Sequence, residues 1–193
     1  MLRNKNNLYN NYVRIIGGQW SKRKLNILYI DELRPTINVM RETLFNWLTP
    51  VINNAVCLDC FAGSGALGIE AVSRYAKSAT LIESNYKIVR QLKLNILQLQ
   101  AHNITIIHNN VLIYLANIGF QYNIVFLDPP FYKNLLQKTI LLLENNGWLS
   151  HKSWIYLEME QDSRLYKIPN NWILYRKKYT KKINYLLFIR YKN

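Results

Sequence analysis

The sequence contains little that could bind a metal or form a disulfide. Of its 193 residues, only two are cysteines and three are histidines. Cys57 and Cys60 form a C-x-x-C inside a predicted strand, where three steps separate their Cα atoms by roughly 10 Å and point the side chains to opposite faces. A disulfide needs Cα atoms within about 7 Å of each other. The histidines have no partner at metal-ligand spacing: His102, His108 and His151. We therefore expect neither redox nor metal chemistry.

Long apolar runs are also missing. No segment approaches the roughly 20 apolar residues that cross a bilayer. The amino end, Met1–Asn7, is polar and lacks the apolar core of a secretory signal. The length suits one compact domain with a full core, and 50% of the residues are hydrophobic. We expect a cytoplasmic monomer that does not contact a membrane.

Acidic residues are scarce relative to basic ones, with 11 Asp and Glu against 25 Lys and Arg, which gives a net charge of +14. Codon bias in an AT-rich genome would explain abundant Lys, Asn, Ile and Tyr without any selection for binding. Such bias would spread the excess evenly, whereas residues 1–50 carry +5, residues 51–150 carry +2 and residues 151–193 carry +7. This distribution indicates basic flanks that meet a polyanion around a nearly neutral middle.

The middle of the chain alternates between apolar runs and helical patterns. This alternation predicts an α/β fold with a parallel, doubly wound sheet, in which ligands bind at the carboxyl ends of the strands. Asp59, Glu83, Asn110 and Asp128 fall at or just after such ends and should share one edge of the sheet. The predicted strands are Val56–Phe61, Ala79–Glu83, Ile104–His108 and Tyr122–Asp128, and the predicted helices are Ala66–Tyr75, Asn85–Gln100, Val111–Asn117 and Lys133–Glu144.

Both flanks are predicted to contain hairpins. Tyr12–Leu28 has the pattern of two short basic strands around Gly17-Gly18, which form either an RNA-contacting arm or a plain solvated hairpin. A helix over Val39–Leu48 follows, with an apolar face that belongs to the core. Near the carboxyl end, strands are predicted at 154–158, 172–176 and 184–189, and Lys177–Lys182 connects the last two. We take residues 1–50 as an amino-terminal extension and residues 51–193 as the main domain of one compact unit.

A glycine-rich motif lies between the first predicted strand and helix of the main domain. Gly63, Gly65 and Gly68 spell G-x-G-x-x-G, which permits a tight turn and close approach of a ligand to the backbone, and Glu83 closes the next strand, where a ribose diol would bind. A nicotinamide enzyme fits this pattern as well. However, Asp59 at the preceding strand tip would repel a diphosphate, whereas S-adenosylmethionine carries two positive charges and no phosphate. The motif therefore favours the methyl donor.

A second motif, Asp128-Pro129-Pro130-Phe131, follows the apolar run Tyr122–Leu127. Proline is rigid and lacks an N–H, so this strand tip should be stiff and its carbonyls free to accept hydrogen bonds. A carboxylate and a carbonyl could grip the two hydrogens of an exocyclic amine and direct its lone pair at a methyl donor. Phe131 would add a stacking surface worth roughly 1–3 kcal/mol per base. The alternative is a simple Asp-Pro-Pro turn above a packed aromatic.

Five segments together resemble the bacterial 16S rRNA guanine-N2 methyltransferase family, and the likeness runs from about Val13 to Tyr191. They are Val13–Trp20, Leu33–Thr36, Arg41–Leu48, Leu58–Gly65 and Asp128–Phe131. The resemblance implies a Rossmann-like class I S-adenosylmethionine-dependent methyltransferase fold, with six parallel strands and one reversed strand near the carboxyl end. It also implies the substrate, one loop guanine of 16S rRNA in an assembling or assembled 30S subunit.

The resemblance further implies the roles of individual residues. Asp128 and Pro129 would hold the guanine amino group and Phe131 would lie against the base, at a tip that the ring of Pro130 already stiffens. The implied cofactor-binding residues are Asp59, Ala62, Gly63, Ser64 and Gly65 around the methionine part, Glu83 at the ribose and Asn110 at the adenine. Many relatives have Asp in place of Asn110, whose amide oxygen can still accept from the adenine amino group. Where the family usually has Arg-Pro-Thr-Thr-Asp-Arg, this chain has Arg34 to Val39 and lacks an acid and a base.

Two other functions are compatible with the catalytic motifs. An adenine-N6 DNA methyltransferase would use the same strand tip, but it usually needs a target-recognition domain for which 193 residues leave little room. A ribosome-assembly factor that has lost catalysis would bind rRNA with the same basic flanks. The intact acidic and glycine positions argue against that loss.

Overall fold

The computed structural model describes residues 12–28, 38–130, 135–160 and 167–192. Within these ranges the strands are β1 (Tyr12–Arg14), β2 (Lys24–Asn26), β3 (Val56–Asp59), β4 (Ser78–Glu83), β5 (Ile104–His108), β6 (Tyr122–Leu127), β7 (Leu149–Glu160), β8 (Trp172–Tyr179) and β9 (Ile183–Tyr191). The helices are α1 (Asn38–Leu48), α2 (Ala66–Ser73), α3 (Tyr86–Leu99), α4 (Val111–Leu115) and α5 (Leu135–Asn145). No helix among these residues is long and apolar enough to cross a membrane.

Seven strands form the central sheet, in the order β5-β4-β3-β6-β7-β9-β8. Neighbouring strands from β5 to β7 are parallel, and β9 pairs antiparallel with both β7 and β8. Six strands therefore run in one direction and β9 is reversed, which confirms the predicted fold class. The strand order changes direction between β3 and β6, so the crevice for a ligand lies at the carboxyl ends of these two strands.

The two faces of the sheet bury separate hydrophobic clusters. On one face, the strands pack against α1, α2, α3 and the amino-terminal segment, in a cluster that contains Phe45 and Phe126. On the other face, they pack against α4 and α5. Cys57 belongs to the first cluster and Cys60 to the second, and both thiols are buried and free. The thiols lie on opposite faces, as the sequence predicts, although β3 ends at Asp59 and not at the predicted Phe61, so that Cys60 directly follows the strand.

The predicted amino-terminal hairpin exists and docks onto α2. β1 and β2 pair antiparallel, although Lys22 and Arg23 lie in the connection and not on the strands. The buried carboxylate of Glu70 accepts hydrogen bonds from the N–H groups of Ile16 and Gly17, both at 2.8 Å. Gly18 has φ +78°, and a Cβ there would lie 1.8 Å from the carbonyl oxygen of Ser73. A glycine is therefore needed for the hairpin to lie this close to α2.

Helix ends differ from the predicted ones by a few residues. The prediction extends α2 to Tyr75, but the helix ends at Ser73 because Tyr75 adopts a left-handed conformation with φ 71°. The Ala76 N–H then returns to the carbonyl oxygen of Ala71 at 3.0 Å, which caps the helix. The helix predicted from Lys133 is described from Leu135 onward.

Candidate active site

Asp59 ends β3 and is buried beneath the start of α2, with 1% of its surface exposed. Its Oδ2 accepts a hydrogen bond from the Gly68 N–H at 3.0 Å, whereas its Oδ1 is buried and has no hydrogen-bond partner. Burial, together with the nearby charges of Asp128 and Glu83, raises the pKa of Asp59 to about 7, against the lowering effect of the Gly68 and Phe61 N–H groups. The residue therefore presents an unsatisfied acceptor that a cationic group would stabilise.

The glycine loop turns tightly between β3 and α2. Gly63 and Gly65 have φ values of 49° and 77°, in the left-handed region. The Gly65 N–H donates to the Ala62 carbonyl at 2.7 Å, and the Ala62 N–H donates to the Ile82 carbonyl of β4 at 2.9 Å. A Cβ at Gly65 would lie 2.7 Å from Leu92 Cδ2. The loop is thus held against β4 and α3, with Gly63 and Ser64 half-buried at its outer side.

Glu83 ends β4 and binds the same loop. Its Oε2 accepts from the Gly63 N–H at 3.0 Å, and its Oε1 accepts from the Asn85 N–H at 2.7 Å. The side chain is half-buried. A carboxylate has about four acceptor sites, so two hydroxyl groups could bind beside these N–H donors. The structure therefore brings Glu83 and Gly63 together, as their spacing in the sequence suggests.

Asn110 has a local structural role. It is exposed and is the N-cap of α4, where its Oδ1 accepts from the Leu112 N–H at 2.9 Å. A second lone pair on Oδ1 remains for a ligand. Nearby, the rings of Tyr86 and His108 contact each other with their centroids 5.7 Å apart. Asn110 therefore lies at the predicted edge of the sheet, but its placement is already explained by the helix cap.

Asp128 follows β6 directly, next to β3. Asp59 pairs with Phe126 across these strands, so Asp128 lies one pleat further out than Asp59 and on the same face of the sheet. Asp128 is half-buried, Pro129 is buried and Pro130 is half-buried. Phe131, the predicted stacking residue, lies outside the described residues, as do Arg34 and Thr36 of the family-like segment Leu33–Thr36.

Sequence reasoning missed a buried polar cluster beside Asp128. The Tyr156 hydroxyl donates to Glu158 Oε1 at 2.9 Å, and Glu158 pairs with Tyr185 across β7 and β9. These three side chains are 0%, 3% and 1% exposed, in that order. Burial, together with the charges of Glu158 and Asp128, raises the pKa of Tyr185 to about 12. The segment 154–158 is predicted only as a strand, although its alternation already indicates that Tyr156 and Glu158 share a face.

The edge of the sheet therefore collects carboxylates in a strongly basic protein. Asp59, Glu83, Asp128 and Glu158 lie at or near the carboxyl ends of β3, β4, β6 and β7. This arrangement favours a cationic ligand over a diphosphate. In the part of the chain that the structure describes, no group of three His, Cys, Asp or Glu side chains is arranged to hold a metal ion.

The amino-terminal segment borders the glycine loop. A pocket beside Gly63 and Ser64 is closed on its other sides by α3 and by residues 26–28, which follow β2. The buried Asn95 of α3 fixes this segment, because its Nδ2 donates to the carbonyl oxygen of Asn26 at 2.9 Å. The amino-terminal hairpin is therefore next to the predicted donor site.

Comparison with known proteins places the chain in a family. The family model described as "Conserved hypothetical protein 95" matches residues 13–189. Ribosomal RNA small subunit methyltransferase D of Escherichia coli K12 is 52% identical over 178 residues, which cover 92% of this chain and 90% of the relative.

Two solved structures share the architecture. YhhF from Escherichia coli, a candidate methyltransferase, superposes with a TM-score of 0.89 at 49% identity, over 94% of this chain and 99% of that one. An RNA methyltransferase from Salinibacter ruber in complex with S-adenosyl-L-homocysteine has a TM-score of 0.62 at 17% identity, covers 83% of this chain and 95% of that one, and shows the fold alone. The chain therefore belongs to the conserved hypothetical protein 95 family and, as its motifs predict, is a relative of the bacterial small-subunit rRNA methyltransferases.

Proposed function

We propose that the protein transfers a methyl group from S-adenosylmethionine to the exocyclic N2 of a loop guanine in 16S rRNA, in an assembling or assembled 30S subunit. The observation that carries this proposal is the position of the Asp128-Pro129-Pro130 tip, one strand away from Asp59 and the glycine loop, where the strand order of the sheet changes direction. The 52% identity to ribosomal RNA small subunit methyltransferase D supports the same substrate class.

The donor half of the site fits a cationic cofactor. S-adenosylmethionine supplies an electrophilic methyl group on a sulfonium and carries an ammonium group. The orphaned Oδ1 of Asp59 can accept from such an ammonium, which would lower the raised pKa of this carboxyl. Glu83 would take the ribose hydroxyls from its position beside the Gly63 N–H. Ala62, Ser64 and Gly65 would line the methionine part, and Asn110 would lie beside the adenine.

The acceptor half fits an aromatic amine. The Asp128 carboxylate and the Pro129 carbonyl would accept the two N2 hydrogens, with Pro130 stiffening the tip and Phe131 stacking on the base. As the N–C bond forms and the S–C bond breaks, Asp128 or a water molecule next to it takes the proton that N2 loses. Preorganised acceptors of this kind act mainly through position and electrostatics. The target base must be unpaired to reach them, which costs least in an RNA loop.

A labelled-methyl assay with three acceptors tests the proposal: 30S particles, free 16S rRNA and duplex DNA. We expect transfer to the two RNA substrates. A short isolated oligonucleotide, added as a fourth acceptor, should be poorer than 30S particles, since a small domain selects folded shape more than sequence. If duplex DNA were the best acceptor, the protein would be an adenine-N6 DNA methyltransferase instead. If the pure protein bound rRNA but transferred no methyl group to any acceptor, it would be a non-catalytic assembly factor.

A further inference from the structure

The turn between β8 and β9 lies at the same edge of the sheet as the candidate active site. β8 runs parallel to β6 and β7, so it ends where they end. The strand pairs fix the level: Glu160 of β7 pairs with Ile183, and Glu158 pairs with Tyr185, which in turn pairs with Lys178 of β8. The turn 180–182 is therefore level with, or just beyond, the strand tip that carries Asp128.

The separation along the edge is also set by the sheet. β7 and β9 lie between β6 and β8, so three strand spacings separate Asp128 from the end of β8. At about 4.8 Å per spacing this is roughly 14 Å. A few nucleotides of single-stranded RNA cover that span.

The surface of this hairpin is basic and aromatic. Seven of the eight residues of β8 are exposed. Arg176 lies over the ring of Tyr175, with 4.9 Å between its Cζ and the ring centroid, and Lys177 lies over the ring of Tyr179 at 5.4 Å. Lys181 and Lys182 are exposed in the turn itself. Aromatic rings and cations in this arrangement bind bases and phosphates of single-stranded nucleic acid.

The turn is closed by its own hydrogen bonds. The Thr180 N–H donates to the Ile183 carbonyl at 2.9 Å, and the Thr180 Oγ1 accepts from the Ile183 N–H at 3.0 Å. These bonds close the turn through Thr180 and leave the side chains of Lys181 and Lys182 outside it. The two lysines can therefore be replaced without disturbing the turn.

We propose that the β8–β9 hairpin binds the phosphodiester backbone of the nucleotides that flank the target base, with Lys181 and Lys182 as the phosphate contacts nearest the site. This rests on the proposed function in taking RNA as the substrate. Beyond the proposed function, it specifies the path of the RNA, which leaves the active site along the sheet edge, over β7 and β9, towards the turn. A simpler role for basic residues here is to protect the exposed edge strand β8 from pairing with another chain, and that role requires no contact with RNA.

The experiment compares two double variants with the same change in charge. Lys181→Gln/Lys182→Gln removes the two lysines of the turn. The control, Lys152→Gln/Lys192→Gln, removes two exposed lysines from β7 and from just after β9, at the opposite edge of the sheet, where Lys152 pairs with Tyr191. Affinity for free 16S rRNA and for 30S particles is measured over a range of salt concentrations, S-adenosylmethionine binding is measured by calorimetry, and the methylated base is identified by mass spectrometry.

We expect the turn variant to lower the slope of log affinity against log salt by about 1.4, or 0.7 for each lost phosphate contact to a single strand. That change corresponds to about 25-fold weaker binding at 0.1 M salt if the two affinities converge near 1 M. The control should stay within about twofold of wild type, and donor binding should be unchanged in both variants.

Three outcomes would overturn the proposal. Equal losses in both variants would show that only total charge matters. Equal slopes for wild type and the turn variant, on both free rRNA and 30S particles, would leave edge protection as the role of the lysines. Loss of affinity for 30S particles but not for free rRNA would indicate a ribosomal protein as the partner. If the wild type methylated a base other than guanine, the proposed function would fail. The hairpin proposal would still stand if the turn variant lowered the slope of log affinity against log salt.

Discussion

The donor half and the acceptor half of the candidate site are built differently. In the donor half, each acidic side chain binds the main chain of a neighbouring loop: Asp59 binds the N–H of Gly68, and Glu83 binds the N–H of Gly63. In the acceptor half, Asp128 lies beside side chains from two later strands, Tyr156 and Glu158 of β7 and Tyr185 of β9. The donor half therefore depends on local loop geometry and the acceptor half on strand register, so mutations in the two halves should have different effects.

The largest expected effect is that of Asp128→Ala on methyl transfer, and it distinguishes the two halves of the site most clearly. Asp128→Ala should lower methyl transfer by about 10²–10³-fold or more, because it removes an acceptor aimed at the reacting amine. Donor binding should stay within a few-fold of wild type, since Asp128 belongs to the acceptor half. A labelled-methyl assay and calorimetry measure the two effects. If donor binding were lost together with transfer, or if turnover survived, the division into halves would be wrong at this residue.

Glu83→Ala should show the opposite behaviour. It removes a charged hydrogen-bond partner of the donor and should weaken donor binding by about 1–3 kcal/mol, while transfer at saturating donor recovers much of its rate. Since Glu83 also accepts from the N–H groups of Gly63 and Asn85, Glu83→Gln serves as the matched control that keeps an acceptor in place. A variant with normal donor affinity and low turnover would move Glu83 into the acceptor half.

The raised pKa of Asp59 predicts that donor binding depends on pH. Because burial raises its pKa to about 7, the carboxyl is mostly neutral below pH 7 in the unliganded protein and charged above it. A cationic donor binds the charged form better, so donor affinity should fall below about pH 7 by up to tenfold per pH unit. Calorimetry between about pH 5.5 and 8.5 measures the effect, because this range brackets the titration of Asp59.

The raised pKa of Asp59 also predicts how the stability of the unliganded protein changes with pH. An acid with a raised pKa binds more protons in the folded than in the unfolded state, where its pKa is about 3.9. The free energy of unfolding of the unliganded protein should therefore fall as the pH rises from about 4 to about 7. Asp59→Asn should flatten both this curve and the donor-affinity curve. Donor affinity that does not depend on pH in the wild type would remove Asp59 from the donor half.

The smallest effect concerns the amino-terminal hairpin, which borders the donor half. Arg23→Gln/Lys24→Gln should reduce the salt dependence of RNA binding by about 0.7–0.9 in slope per lost phosphate contact. Arg23 Nη2 also donates to the Gln98 carbonyl at 2.6 Å, so Lys24→Gln alone separates the phosphate contact from this structural bond. Lys77→Gln/Lys152→Gln, near the amino ends of β4 and β7, is the control. If the slope did not change, codon bias and not RNA binding would explain the excess of basic residues in this flank.

The geometry of the proposed donor half was predictable because its parts are close in sequence. Gly63, Gly65 and Gly68 form a local motif, and alternating strands and helices imply that Glu83 returns to the same edge. The fold followed from the same periodicity. The end of α2 was not predictable, since the left-handed conformation of Tyr75 depends on how the next strand is approached.

The acceptor half was only half predictable. The Asp128-Pro129-Pro130 tip is a local motif, but the proximity of Asp128 to Tyr156, Glu158 and Tyr185 needs the register of β7 and β9, which no local pattern specifies. The position of Lys181 and Lys182 at the active-site edge likewise follows from the reversed strand β9. The sequence shows that the flanks are basic, and only the strand order shows where the second flank lies.

The central claim is tested most directly by the methylated nucleoside itself. 16S rRNA that lacks the modification is treated with the pure protein and S-adenosylmethionine, digested to nucleosides and analysed by mass spectrometry. Our account predicts N2-methylguanosine, absent from a parallel reaction with the Asp128→Ala variant. Recovery of N6-methyladenosine in place of N2-methylguanosine would contradict the assignment of the base, equal product from the Asp128→Ala variant would contradict the role of Asp128, and no methylated nucleoside from the wild type would contradict the assignment of the protein as an rRNA methyltransferase.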